Sequence, residues 1–272
     1  MSFERYRPWL NQPQEVSLET LALCNAACTF CPYPTLERQG TRMPDELIGR
    51  LVEEMAGWDR PFMFSPFKVN EPLLDNRVIP LLERMNRDVP HARLRIFTNG
   101  SPLTLDKAEQ IGRLQNVEHL WVSLNTHRPE EYEPLMSLPW ARTAKRLDDL
   151  HASDFPHPVC VSRVGRDVEF APYVRERWPK FRPVIIKRDG WLGFTDATDS
   201  EVPDTPCARW WELNIMATGT VAHCCMDGKG EFPIGDVNAQ TMLEVYNTRH
   251  WRERRQKLLS RRGLHPCSTC TY

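Results

Sequence analysis

The chain has 272 residues, a formal net charge of -1, 41% hydrophobic residues and 26% charged ones, enough for a full core. The balanced charge excludes a polycation built to wrap nucleic acid or coat an anionic membrane surface. The opening stretch, MSFERYRPWLNQPQ, has no apolar core of signal-peptide length, and no later run is long enough to span a bilayer. A cytoplasmic protein is expected.

Taken in chain order, β-branched and aromatic runs read as strands at 15–21, 61–67, 93–98, 118–124, 158–164 and 183–187. Amphipathic runs lie between them. PDELIGRLVEEMAGW places Leu47, Leu51 and Met55 at helical spacing behind Pro44, a first-turn residue. NRVIPLLERMNRD, LDKAEQIGRL, EYEPLM, ARTAKRLDDLHA and FAPYVRERW follow as helices. Strands alternating with helices predict an α/β fold with a parallel sheet, open or curled into a partial barrel. In such folds the ligand sits at the carboxyl ends of the strands.

The alternation stops in the polar stretch DGWLGFTDATDSEVPDTPC, which predicts a boundary near residue 200 and two units, 1–200 and 201–272. The second unit holds a hairpin, WELNIMATGTVAHCC, with its turn at Thr218-Gly219, then a short helix, TMLEVYN. The basic segment RHWRERRQKLLSRR carries seven Lys or Arg between 249 and 262. With Trp251, Leu258 and Leu259 on one face, it reads as an amphipathic helix with a solvated side.

Of nine cysteines, Cys24, Cys28 and Cys31 cluster near one end, and Cys207, Cys224, Cys225, Cys267 and Cys270 near the other. Only Cys160 lies between, inside a strand run, where a core thiol is expected. In a cytoplasmic chain such grouping points to metal or redox chemistry rather than disulfides. On the residues alone, C-x₃-C-x₂-C is a cluster site, three-quarters of a zinc site, or a set of buried thiols. Three thiolates are one short of a closed zinc site and no histidine lies nearby; on a cubane cluster they leave one iron open.

With aromatic Phe30 just before the last cysteine, Cys24, Cys28 and Cys31 resemble the radical S-adenosylmethionine (radical SAM) signature. The resemblance implies a partial (β/α)₆ TIM-like barrel over about residues 15–190, in which the three cysteines hold a [4Fe–4S] cluster that binds SAM. The cluster delivers an electron that releases a 5′-deoxyadenosyl radical, and the radical abstracts a substrate hydrogen. KVNEPLL resembles the family's GGEP stretch, which gives Glu71, with Asn70 beside it, a role at the SAM amino group. Val69 and Asn70 stand where the family has glycines. Ser123 and Asn125 fall at the ribose-contacting position, and Arg163 at a position able to meet the SAM carboxylate. Apart from the resemblance, Glu71 suits a helix start, Ser123 and Asn125 suit a turn, and Arg163 suits a salt bridge.

Cys207, Cys224, Cys267 and Cys270 have the look of a zinc ribbon when read by themselves. Their order, with Gly219 between the first two, resembles the SPASM or shorter twitch extension of radical SAM enzymes, a small C-terminal iron–sulfur domain. That resemblance implies an auxiliary [4Fe–4S] cluster, and so two clusters in all. Adjacent Cys224 and Cys225 cannot readily serve one cube; the Gly-x₄-Cys spacing favours Cys224 as the ligand. Cys225 is then free to give a hydrogen atom to a substrate radical. The alternatives are a buried apolar Cys225, or Cys225 as ligand with Cys224 spare.

Lys68, His127, Lys187, Arg188 and Asp189 lie at strand ends and are candidates for gripping a polar substrate. Trp191, Trp210 and Trp211 suit packing under the tail or stacking on a sugar. The short tail, and the lack of an N-terminal peptide-recognition extension, lead to a small polar substrate: a sugar, aminoglycoside or nucleoside intermediate. Epimerisation, oxidation and C–C bond formation all remain open, with flavodoxin or ferredoxin as electron donor and neither nucleic acid nor membrane as partner. The rival readings are modification of a ribosomally made peptide and, from another class, a zinc-binding scaffold.

Overall fold

The computed structural model describes residues 3–194 and 201–271. Nine strands form one sheet: β1 (Glu15–Leu18), β2 (Phe62–Ser65), β3 (Ala92–Thr98), β4 (Val117–Ser123), β5 (Val159–Val164), β6 (Arg182–Ile186), β7 (Glu212–Ile215), β8 (Thr220–Ala222) and β9 (Gly235–Asp236). The helices are α1 (Phe3–Tyr6), α2 (Asp45–Ala56), α3 (Val78–Asp88), α4 (Leu105–Gly112), α5 (Pro129–Met136), α6 (Trp140–Ala152), α7 (Phe170–Arg177), α8 (Met242–Tyr246) and α9 (Arg249–Lys257). The strand order is β6-β5-β4-β3-β2-β1-β7-β8-β9, so the expected six-stranded parallel partial barrel is present and does not close on itself.

Period-two alternation divides each strand between two environments. Val16, Leu18, Phe64, Leu94, Ile96, Leu120, Val122, Val161, Leu213 and Ile215 share one core with the apolar stripes of the helices, including Leu47, Leu51 and Met55 of α2. The alternate residues are mostly polar, with Met63, Phe97, Trp121 and Cys160 among them. Ser17 is registered with Ser65 on one side and Asn214 on the other, and Glu15 with Met63 and Glu212. This polar row lines the concave side of the sheet.

The predicted hairpin forms as β7 and β8, and β7 also pairs in parallel with β1. The hairpin therefore extends the barrel sheet. The physical reason is the edge: β1 would otherwise expose a row of unpaired backbone groups. The boundary expected near residue 200 falls at 195–200, outside the described residues.

One expectation is corrected. α9 ends at Lys257, Leu258 takes a left-handed conformation with φ 47, and Leu259 is 39% exposed. The buried face is instead Trp251, Arg254 and Arg255. Arg255 is accommodated because it donates to the carbonyls of Tyr246 at 2.7 Å and Leu10 at 3.2 Å and lies over the Tyr246 ring.

The β7–β8 turn depends on Gly219, whose φ of +88 is reached cheaply only by glycine. A Cβ there would also collide with the Asn238 amide. Gly219→Ala is expected to destabilise the fold by about 1–2 kcal/mol or more, read as a lower denaturation midpoint at unchanged slope.

Candidate active site and C-terminal cysteine cavity

The loop carrying Cys24, Cys28 and Cys31 leaves the carboxyl end of β1 without regular structure, and its neighbours hold it. Glu71 N–H donates to Leu23 O at 2.8 Å, and Ala27 and Thr29 N–H donate to Met136 O and Leu135 O, both at 3.1 Å, at the end of α5. Cys31 N–H closes a turn onto Cys28 O at 3.1 Å. All nine cysteines are free thiols. Burial pushes Cys24 up to about 12 and Cys31 up to about 11, and Cys28 higher still. Cys28 is raised further by both other thiols, so the three face a common space. Among the described residues, no group of His, Cys, Asp or Glu is placed to hold a single metal ion. The donor set, three soft thiols around shared room, fits an iron–sulfur cube with one iron free of protein.

Of the predicted cofactor residues, Glu71 is tied directly to this loop and Asn125 shares Met136 Sδ with Cys28. Glu71 is 2% exposed, and its carboxylate accepts from Leu73 N–H at 3.1 Å, Thr98 Oγ1 at 2.8 Å and Asn99 N–H at 2.6 Å. It therefore caps a short turn, as its position before a helical segment allows, and retains lone-pair capacity for a further donor. Burial raises it to about 7, against the pull of those hydrogen bonds. Asn70 Oδ1 accepts from Lys68 N–H at 3.0 Å, while its buried Nδ2 has no partner.

Asn125 has φ 67; its Oδ1 accepts from Val164 N–H at 3.1 Å and its O accepts from Arg163 Nη1 at 2.8 Å. Arg163 also pairs with Asp167 at 3.3 Å, leaving Nε buried and unpartnered. Ser123 ends β4, half-buried. Phe30 packs on the core and its carbonyl accepts from Trp191 Nε1 at 3.0 Å.

The second site is a cavity lined by all four predicted tail cysteines, Cys207, Cys224, Cys267 and Cys270, with Leu192, Arg209, Trp210, His223, Met226 and Arg261. Cys225 does not line it. Burial pushes the Cys225 thiol up to about 12, with Arg209, Glu212 and Lys68 among the charged groups acting on it. Cys224 thus lines the cavity and its neighbour Cys225 does not. Four thiols around one cavity fit a closed cluster site.

Lys68 is placed differently from the substrate-gripping role expected of it. It is 4% exposed, and its Nζ donates to the carbonyls of Asp227 at 2.9 Å, Cys224 at 3.3 Å and Cys225 at 3.4 Å. The ammonium latches the loop after β2 to the cysteine turn. Lys187 Nζ donates to Thr271 O at 2.6 Å, and His127 faces Asp167 at 3.8 Å and stacks near Tyr173. Arg188 Nε is buried without a partner, and burial raises the Asp189 carboxyl above the usual carboxylate range. Trp210 and Trp211 pack with Tyr6 and Trp251, away from the mouth. Cys160 is buried on β5, as expected.

Residues not singled out from the sequence complete both sites. Asn99 Nδ2 donates to Asn25 Oδ1 at 2.8 Å and lies 3.9 Å from Cys24 Sγ, tying β3 to the cysteine loop. On the concave face, Glu15 pairs with Arg95, and Glu212 with Arg209 at 2.6 Å. Both amide atoms of Asn214, Ser65 Oγ and Glu212 Oε2 are buried and unpartnered there. Charges at alternate positions of strands expected to be buried on both faces were the available signal.

The Radical SAM superfamily model matches residues 18–169, and the SPASM iron–sulfur cluster-binding domain matches residues 207–271. The GTP 3′,8-cyclase of Synechococcus sp. (strain WH7803) is 33% identical over 125 residues, 43% of this chain and 35% of that protein. The S-adenosyl-L-methionine-dependent 2-deoxy-scyllo-inosamine dehydrogenase of Niallia circulans is 28% identical over 100 residues, 36% of this chain and 40% of that protein. The chain thus spans well under two thirds of either relative.

Among solved structures, BtrN in complex with AdoMet and 2-DOIA superposes with a TM-score of 0.67 at 17% identity, covering 95% of this chain and 93% of that one. Streptococcus suis SuiB bound to precursor peptide SuiA gives 0.70 at 13% identity, covering 92% and 68%. At such identities the likeness is one of fold. Residues 18–169 make up more than half of the chain, and with the cysteine loop inside them the protein belongs to the radical SAM superfamily, enzymes that use S-adenosylmethionine and a [4Fe–4S] cluster.

Proposed function

We propose that this enzyme abstracts a hydrogen atom from a small, hydroxyl- or amine-bearing metabolite held on the concave face of the sheet. The observation that carries this reading is the polar row there: Asn214, Ser65 and Glu212 keep unpartnered buried atoms between the Glu15–Arg95 and Glu212–Arg209 pairs. Buried polar atoms without partners are costly, and hydroxyl or amine groups of a ligand, both donors and acceptors, satisfy them. Trp121 and Phe97, registered neighbours on β4 and β3, offer ring faces beside that row. The 2-deoxy-scyllo-inosamine named for one relative belongs to this chemical class.

In this reading Cys24, Cys28 and Cys31 hold the first cluster; Glu71, Asn70, Ser123, Asn125 and Arg163 bind SAM; and Phe30 packs beneath the loop. Cys207, Cys224, Cys267 and Cys270 hold a second [4Fe–4S] cluster. Bound SAM and the first cluster supply the 5′-deoxyadenosyl radical. Cys225, which this reading places on the substrate side, then donates its thiol hydrogen to the substrate radical. The thiyl left behind takes an electron from the flavodoxin- or ferredoxin-type donor by way of the second cluster and a proton from solvent. Its peptide link to Cys224 leads straight to the tail cavity.

Transfer from sulfur to carbon is downhill because the S–H bond is the weaker one. The product is inverted at carbon and neither oxidised nor reduced. A second reading, oxidation by loss of the radical's electron, is favoured by the dehydrogenase among the relatives.

Turnover in D₂O separates the two. With 2-deoxy-scyllo-inosamine and related amino sugars as probes, the first reading places one deuterium at the inverted carbon, and Cys225→Ala still forms 5′-deoxyadenosine without inverted product. An oxidised, undeuterated product, unaffected by Cys225→Ala, establishes the second reading instead.

Glu71→Gln keeps the side chain's shape and removes its charge. SAM affinity should fall roughly ten- to a hundredfold, the worth of a charge-assisted hydrogen bond of about 1.5–3 kcal/mol, at unchanged iron content. An unaltered dissociation constant would leave Glu71 as a cap alone.

Cys267→Ala combined with Cys270→Ala should lower bound iron by about half, one of two equal clusters, while the barrel still cleaves SAM. Full iron in that variant would show that the tail holds none.

A further inference from the structure

Arg254 is buried in α9, 3% exposed, and among the described residues no carboxylate pairs with it. Its guanidinium carbon lies 4.6 Å from the Trp251 ring centroid and 5.4 Å from that of Trp210. Nη2 contacts His250 Nε2 at 3.0 Å, and Nε has no partner. Nη1 stands 3.3 Å from His223 Nε2 and 4.0 Å from Cys267 Sγ, while His223 Nε2 is itself 3.2 Å from that sulfur. Arg254 thus reaches the Cys267 sulfur directly, and Cys224 and Cys207, two more of the cavity thiols, lie within its electrostatic range.

A guanidinium is never neutral in a protein, and one taken out of water needs an anion or a set of carbonyl acceptors. Arg255 has such carbonyls, whereas the hydrogen-bond partners of Arg254 are His223, His250 and the Cys267 sulfur. Two indole rings attract it only weakly by comparison. The arrangement makes sense when the cavity holds a centre of net negative charge bound through those sulfurs. We propose that Arg254, held beside Cys267 by donating to the neutral His223 imidazole, is the fixed counter-charge of the C-terminal cluster and raises that cluster's reduction potential. One added electron makes the centre more negative, and a buried cation beside its sulfur favours that state. This rests on the reading that the tail cysteines hold a cluster.

The test is an EPR-monitored redox titration of the anaerobically purified enzyme, following the reduced-cluster signal that SAM does not perturb. Arg254→Met removes the charge and keeps an apolar stem; Arg254→Lys retains the charge. In Arg254→Met with full iron, the reduction equilibrium should shift at least tenfold toward the oxidised form, about 59 mV for one electron. Arg254→Lys should remain near wild type. An unchanged potential in Arg254→Met with full iron overturns the proposal.

If Arg254→Met instead loses the tail's share of iron, retention by Arg254→Lys supports the counter-charge role. Loss in both variants overturns it in favour of packing. Wild-type enzyme holding only one cluster's iron would remove the underlying reading, an outcome distinguishable from any of these.

Discussion

The parallel pairing of β7 with β1 is the constraint on which both sites depend. β1 delivers the three-cysteine loop from its carboxyl end, and β7 leads through the Gly219 turn and β8 to Cys224 and Cys225. β7 lies beside β1 and antiparallel β8 carries the chain back to Cys224, so one sheet supports both the cysteine loop and the tail cavity. The pairing also covers an open sheet edge and supplies Glu212 and Asn214 to the concave wall. Lys68 makes the junction rigid: its ammonium, taken out of water, is satisfied by three carbonyls of the cysteine turn.

The interior is unusually rich in charge for a parallel sheet, and the placement is selective. On the helix side the strands present aliphatic residues to one continuous core. On the concave side they present Glu15, Arg95 and Glu212, with Arg209 close by, as ion pairs. Buried pairs contribute little net stability compared with well-packed apolar residues, since desolvation offsets most of the attraction. Their presence beside unpartnered Asn214 and Ser65 makes sense as a polar recognition surface and costs stability that the core must supply. Arg254 follows the same logic at the tail cavity, with sulfur in place of carboxylate.

Much was legible in the sequence because it is written locally. Alternating apolar and helical periods located six strands and the helices between them, and the spacing of Cys24, Cys28 and Cys31 located the loop chemistry. The failures were residues whose roles depend on distant partners. Lys68 looks like a strand-end cation available to substrate, and only the approach of residues 224–227 converts it into a latch. α9 looks amphipathic through Trp251, Leu258 and Leu259, yet the chain turns left-handed at Leu258 and buries two arginines. Nothing local distinguishes Arg254 or Arg255 from the solvated basic residues around them.

The sequence by itself determined the family, the α/β alternation and the two cysteine groups, because ligand spacing and hydrophobic period operate within a few residues. The tertiary structure brought Cys224, favoured by its spacing, to the tail cavity and left Cys225 out of the lining, and it alone decided that Glu212 and Asn214 join the concave wall and that Arg254 meets the Cys267 sulfur. Those relations join segments far apart in the chain, brought together by strand pairing and by the need of each buried charge for a partner.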